Sequence, residues 1–322
     1  MKPVAPRVML DLVPGERQPK AMAFRKASLQ TAFLLAAAWT MGVSAHGNDG
    51  IAPSVGAPPA TLRADPFYAK YLDADGIPVI ASAKVPDRAL TVARAIIAEM
   101  LAHRPDLAAQ LAADGFRVAV MAEDEGTLDL PEQRHWTRPA RDDPRLTRCE
   151  RKHYDERIGR LTDAQYWNAR ARGMAGRFTS AATEDLLGLR SSRYYGETIF
   201  VHEFAHDVLM AIRERDPTLH ARVEAAYAAA LKAGRWKDEY ASTSLDEYWA
   251  EGSQFWFNSN KIAIFDGRRI LSDADLAAYD PPLAEVLRAA YGDRHRLGAD
   301  PFYESAARVP PGPLPMNTAE VC

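Results

Sequence analysis

The chain is poor in cysteine: its 322 residues contain two, Cys149 and Cys322. That excludes a small scaffold stapled by several disulfides. Two cysteines can still pair in an oxidising compartment, where a bridge to Cys322 would tie down the tail. A basic excess is also missing. Forty Lys and Arg stand against forty-three Asp and Glu, for a formal charge of −3, which disfavours a nucleic-acid binder. No repeat recurs at solenoid periods. The apolar run over 27–43 is interrupted by Ser28, Gln30 and Thr31, which leaves it short of the roughly 20 residues that a membrane-spanning helix needs.

What is present is ordinary for a globular protein: 47% apolar and 26% charged residues, on a chain long enough for one large domain or two small ones. The N-terminus reads as a targeting signal. Arg25 and Lys26 precede the apolar stretch centred on Phe33-Leu34-Leu35-Ala36-Ala37-Ala38-Trp39, and Val43-Ser44-Ala45 offers the small residues that a signal peptidase reads. Cleavage is expected after Ala45, giving a secreted or periplasmic protein. Met22, just upstream, is an alternative start. No cysteine follows the cleavage point directly, which argues against a lipoprotein.

Residues 46–62 are rich in Gly, Ala and Pro and read as a flexible leader. Ile77–Ala83 and Phe116–Met121 have the apolar, partly β-branched character of strands, and helical spacing of Leu90, Ala93, Ile96, Ile97 and Met100 predicts a helix over Asp87–His103. A second short helix follows to about Ala113. The stretch Asp129–Arg172 is polar and dense in both charges, and within it Arg138–Arg160 reads as a solvated loop with a short helix rather than a binding patch. A strong helix is predicted over Tyr195–Arg215, ended by Asp216-Pro217, then one over Thr218–Ala233 and one over Ser244–Phe257. The proline-rich end from Val309 reads as an irregular tail.

The chemistry concentrates in His202-Glu203-Phe204-Ala205-His206. Histidines four apart lie one turn apart on one helix face, where both imidazoles can share a metal ion, and a glutamate beside the first can reach a water on that metal. A catalytic zinc needs a third protein ligand and one open position. The helix from Ser244 supplies two candidates, Glu247 and Glu251, again four apart. That helix also carries Tyr248, Trp249, Phe255, Trp256 and Phe257, so it is expected to be buried, and buried carboxylates need a partner. Ser244 and Glu247 also fit a capping box, in which the glutamate would only close the helix terminus. Spacing alone leaves Glu247 and Glu251 equal. His46, His103, His135, His153, His220 and His295 lack partners at ligand spacing.

The stretch from Tyr240 through Glu247 to Glu251 resembles the corresponding stretch of the anthrax lethal factor catalytic domain. It is also similar to the MtfA-type peptidases, which share the His-Glu-Phe-Ala-His motif. A wider resemblance, over the lobe from about Pro66 to Met121, links it to uncharacterised secreted bacterial and fungal proteins with the same motif. The resemblance implies Glu247 as third zinc ligand, Tyr240 as a phenol that stabilises the oxyanion, and Glu251 as a residue behind the ligands. It also implies an α+β, zincin-like (gluzincin-like) fold with a small mixed sheet and a mostly helical lower lobe. The Asn-Glu-x-x-Ser-Asp pattern of thermolysin and the extended motif of metzincins are absent.

These readings converge on an expected division into a signal-bearing extension (1–45), a leader (46–62), a catalytic domain (63–308) and a tail (309–322). The expected activity is zinc-dependent hydrolysis of peptide bonds through a zinc-bound water, with Glu203 as general base. Its partner would be a protein or peptide substrate, without nucleic acid and without a membrane span after signal cleavage. The rival readings are a non-proteolytic binding or cell-envelope module on the same fold, and a zinc amidase acting on cell-wall peptides.

Overall fold

A computed structural model describes residues 54–314, except 145 and 147. The signal sequence, the His46 position and Cys322 lie outside the described residues. Two lobes of secondary structure share one core. The upper lobe begins with β1 (Lys70–Ala74) and β2 (Ile77–Ala81), an antiparallel pair turned by Asp75-Gly76, both at positive φ. From β2 the chain crosses over through α1 (Asp87–Leu101) and α2 (Pro105–Ala113) to β3 (Arg117–Met121), which runs parallel to β2. The spacing of Leu90, Ala93, Ile96, Ile97 and Met100 does what the sequence pattern predicts: all five are buried against the sheet.

The segment after β3 holds α3 (Arg148–Lys152), a π-helical turn over Asp155–Gly159 and α4 (Asp163–Arg170). Here the expectation of a solvated loop is corrected. Leu146, Tyr154, Ile158 and Tyr166 bury one another in a small separate core, and Arg170 pairs with buried Glu150 at 2.8 Å. Charges of both signs mask this cluster in the sequence, because the apolar residues are few and irregularly spaced. Cys149 is buried in α3. β4 (Phe178–Ala182) then joins the sheet parallel to β3, giving the order β1-β2-β3-β4 with mixed direction.

The lower lobe is helical. A short α5 (Thr183–Leu186) leads to α6 (Ile199–Arg215), α7 (Pro217–Lys232) and α8 (Leu245–Trp256), followed by a small antiparallel hairpin of β5 (Ala263–Phe265) and β6 (Arg268–Ile270), then α9 (Asp273–Tyr279) and α10 (Pro281–Tyr291). The architecture is α+β with a small mixed sheet, as expected. Within the stretch read as a leader, Gly56 pairs with Tyr71 through two backbone hydrogen bonds, of 3.0 and 2.7 Å, along the outer edge of β1. Among the described residues no helix is long and apolar enough to cross a membrane.

Within the lower lobe α6 lies against both β4 and α8, and every residue from Ile199 to Leu209 is buried. Such a helix needs its free N-terminal N–H groups satisfied without water. Asp185, itself fully buried, reaches across from α5 and accepts from the N–H groups of Ile199 and Phe200 at 3.3 and 3.2 Å. Trp249 on α8 donates its indole N–H to the Ala205 carbonyl at 2.9 Å. That bond fixes how α8 lies against α6.

Candidate metal centre

The helical period puts His202 and His206 on the face of α6 that meets α8 and the turn at Tyr240. Their rings are 4.9 Å apart between centroids and nearly perpendicular. Glu247, in the first turn of α8, points at both. His202 Nε2 is 3.0 Å from Glu247 Oε2, and His206 Nε2 is 3.7 Å from the same oxygen. All three side chains are buried, at 3%, 6% and 3% exposure. Among the described residues these three form the group whose ligand atoms converge closely enough to hold a metal ion.

The two separations from Glu247 lie around what one tetrahedral ion requires. Donor atoms bonded at about 2.0–2.1 Å to one zinc stand roughly 3.3–3.4 Å apart, and the observed 3.0 and 3.7 Å bracket that value. Two imidazole nitrogens and one carboxylate oxygen are also a donor set that suits zinc. The residues present therefore fit the ion.

Of the two carboxylates that spacing left equal, Glu247 is the one that lies against both histidines. Ser244 Oγ accepts the Glu247 N–H at 3.1 Å and so caps α8, but the Glu247 carboxylate does not return the cap. Instead Oε1 accepts the phenol of Tyr240 at 2.8 Å, and Oε2 faces the histidines. Glu251 lies one turn deeper. Its Oε1 is 3.5 Å from His202 Nδ1 and its Oε2 accepts from Asn260 Nδ2 at 3.0 Å.

Charge and burial oppose each other here. Burial alone lowers the pKa of His202, but the hydrogen bond and charge of Glu247, with Glu251 and Glu203 nearby, carry it up to about 9. His206, buried and beside that cation, is held down at about 4. For Glu247 burial pushes upward, yet the two imidazoles and the Tyr240 phenol keep it below the usual carboxylate range. Burial, followed by the Glu247 charge, raises the Tyr240 phenol well above its ordinary value, so it remains a donor.

A small cleft opens onto this group. Its lining includes His202, Glu203, His206, Tyr240 and Glu247 together with Arg170, Gly173, Met174, Tyr194 and Ile199. Gly173 lies directly against the motif: a Cβ there would meet Glu203 Cγ at 3.2 Å and the Ser180 carbonyl at 3.3 Å. Asp207, next to His206, accepts the Gly176 N–H at 3.0 Å and the Thr179 hydroxyl, pinning the turn before β4 to α6.

Two neighbours were not foreseen. Gln254 Oε1 is 3.2 Å from His202 Nδ1, nearer than Glu251, and Asn260 touches both Gln254 and Glu251. The signal for Gln254 was in the sequence: Glu247, Glu251 and Gln254 follow the 4-then-3 step of one helix stripe. Nothing in the sequence pointed to Asn260, which lies beyond the helix end. The other described histidines stay outside the group. His295, for example, packs its ring against Trp256 at 4.2 Å.

No family model matches this sequence, and no curated protein is detectably similar to it. Among solved structures, the chain is similar to the Pro-Pro endopeptidase PPEP-2 from Paenibacillus alvei, with 14% identity and a TM-score of 0.41 over 66% of this chain and 96% of that one.

Proposed function

We propose that the protein is a secreted zinc-dependent metallopeptidase of zincin type. The observation that carries the proposal is the convergence of His202, His206 and Glu247 on one buried point, with Glu203 lining the same cleft. In this reading the three residues hold the ion, and Glu203 and Tyr240 are catalytic. Zinc, when bound, supplies Lewis acidity that acidifies water and polarises the scissile carbonyl. Glu203 takes a proton from the attacking water and later delivers it to the leaving amine. The Tyr240 phenol, kept protonated by its surroundings, turns its O–H from Glu247 to the developing oxyanion. Glu251 sits behind the ligands and contributes negative charge to the His202 side.

A scaffold that only binds has no use for a base beside an open ligand position, so Glu203 favours the enzymatic reading over a binding module. The secreted part of this reading rests on the signal-like sequence over residues 25–45.

The deciding experiment compares wild type with Glu203→Gln on casein and on peptidoglycan fragments. We expect wild type to cleave the protein substrate and the variant to keep stoichiometric zinc but lose hydrolysis by on the order of 1000-fold or more. Wild-type turnover in Glu203→Gln would overturn the mechanism. Cleavage of peptidoglycan peptides alone would turn the assignment to a cell-wall amidase.

A further inference from the structure

Building on that zinc reading, we infer that Gln254 is the positioning residue that sets the His202 tautomer, with the proton on Nδ1 and the Nε2 lone pair aimed at the metal. The argument rests on which way the Gln254 amide must face. Its Nε2 donates to the Thr198 carbonyl at 3.2 Å, and its Oε1 stands 3.2 Å from His202 Nδ1 and 3.4 Å from Asn260 Nδ2. A flipped amide would set oxygen against the Thr198 carbonyl and NH₂ against the Asn260 donor. Both contacts would be repulsive in a site where Gln254 is fully buried. The oxygen therefore faces the imidazole, and an acceptor there requires a proton on Nδ1.

The frame behind the amide is held as firmly. Thr198 donates its own N–H to the Ser259 carbonyl at 3.0 Å and its hydroxyl to buried Asp300 at 2.6 Å. The Asn260 carbonyl accepts from Arg308 Nε at 2.8 Å, and Arg308 is 5% exposed. Glu251 is the weaker candidate for the same job. Its oxygen is 3.5 Å from Nδ1, beyond ordinary hydrogen-bond length, and its other oxygen is taken by Asn260. A neutral amide orients the ring without adding another negative charge next to a site that already has Glu247, Glu203 and Glu251. Outer partners of metal-bound histidines act in this way.

The test uses the full chain with histidine nitrogens labelled. Zinc affinity is read by competition with a chromophoric chelator, and the tautomer from ¹H–¹⁵N spectra of the zinc-loaded protein. Gln254→Met keeps the volume and removes the acceptor. It should weaken zinc binding roughly 10- to 100-fold and remove the slowly exchanging His202 Nδ1–H signal. Gln254→Glu restores an acceptor and should return the signal, with affinity within about threefold of wild type. Glu251→Gln should also stay within about threefold. A tenfold or greater loss in Glu251→Gln, with Gln254→Met unchanged, assigns the role to Glu251 and overturns the inference. If Gln254→Met does not fold, absence of the Nδ1–H signal in Gln254→Glu overturns it equally. A wild-type chain that takes up no zinc removes the metal reading along with it, whereas one that binds zinc indifferently to Gln254 removes this inference alone.

Discussion

Tyr240 donates its phenol to Glu247 Oε1 at 2.8 Å across a seven-residue gap, joining the turn before α8 to the first turn of that helix. The bond gives Tyr240 two possible uses: bracing a ligand, or donating to an oxyanion once substrate arrives. The two predict different losses. If it serves the oxyanion, Tyr240→Phe should keep zinc and lower kcat by on the order of 100-fold, with KM little changed. If it only braces Glu247, zinc affinity falls and kcat per bound zinc is kept. Metal titration alongside steady-state kinetics separates the two, and we expect the first.

Removing the ligand carboxylate should be more severe than removing the one behind it. Glu247→Ala leaves two buried imidazoles facing an empty corner, and its zinc content after dialysis should fall below detection at stoichiometric protein. Glu251→Ala should retain part of its zinc, because that carboxylate stands 3.5 Å from the far nitrogen of His202. Metal analysis of the two variants at equal concentration gives the ranking. The reverse order would exchange their roles.

The parts legible in the sequence are those where periodicity and chemistry coincide. α6 shows both an apolar repeat and the two histidines, and α8 shows a capping serine, an aromatic face and two carboxylates at one-turn spacing. The strand β4 was invisible because Phe178-Thr-Ser-Ala-Ala has little of the β-branched apolar character of a buried strand. Thr179 and Ser180 are buried there all the same, the threonine hydroxyl being bonded to Asp207 and the Gly176 carbonyl. Gln254 fits the α8 stripe, but its partner atoms lie on α6 and past the helix end. No local pattern announces which buried amide will meet a histidine. The small core around Tyr154 and Tyr166 failed for the opposite reason, since charged residues outnumber the apolar ones that matter.

The two histidines give the metal-free protein a defined pH dependence. Both have a reference value of 6.5. His202 is raised to about 9, so the fold holds its proton more tightly than the unfolded chain does. That contribution is complete below about 6.5 and is lost as pH rises through about 9. His206 is lowered to about 4, so the unfolded chain takes up its proton first, and stability is lost as pH falls from about 6.5 toward 4. The pair therefore favours a Tm maximum near pH 6.5 in chelator-treated protein. Zinc needs both imidazoles neutral, so the zinc-loaded protein should lose the alkaline decline. Calorimetry of both forms from about pH 5 to 10 checks this. A metal-free Tm that is flat between about 6.5 and 9 would remove the His202–Glu247 pairing from the account.

Gly196 tests how tightly the approach to α6 is built. It lies three residues before the helix at φ +102°, a backbone conformation that L side chains rarely adopt. A Cβ at this position would sit 2.3 Å from the Ala307 carbonyl oxygen and 3.0 Å from its carbon. The obstacle is backbone, so no rotamer change relieves it. Ala307 also sits in the turn whose Arg308 holds Asn260. Gly196→Ala must therefore strain its own backbone and push the 306–308 turn away. Strain of this kind costs about 1–3 kcal/mol, and forced overpacking a similar amount. The combined loss of about 3 kcal/mol should lower Tm by roughly 10 °C in a domain of this size. Because the displaced turn supports Asn260 and, through it, Gln254, zinc affinity should fall together with stability. Alanine at Gly115, also at positive φ but with nothing within 4 Å of the added carbon, should cost only the backbone strain and leave zinc binding untouched. Thermal melts and zinc titration of the two variants side by side measure the difference, and equal effects would deny that the 306–308 turn braces the metal site.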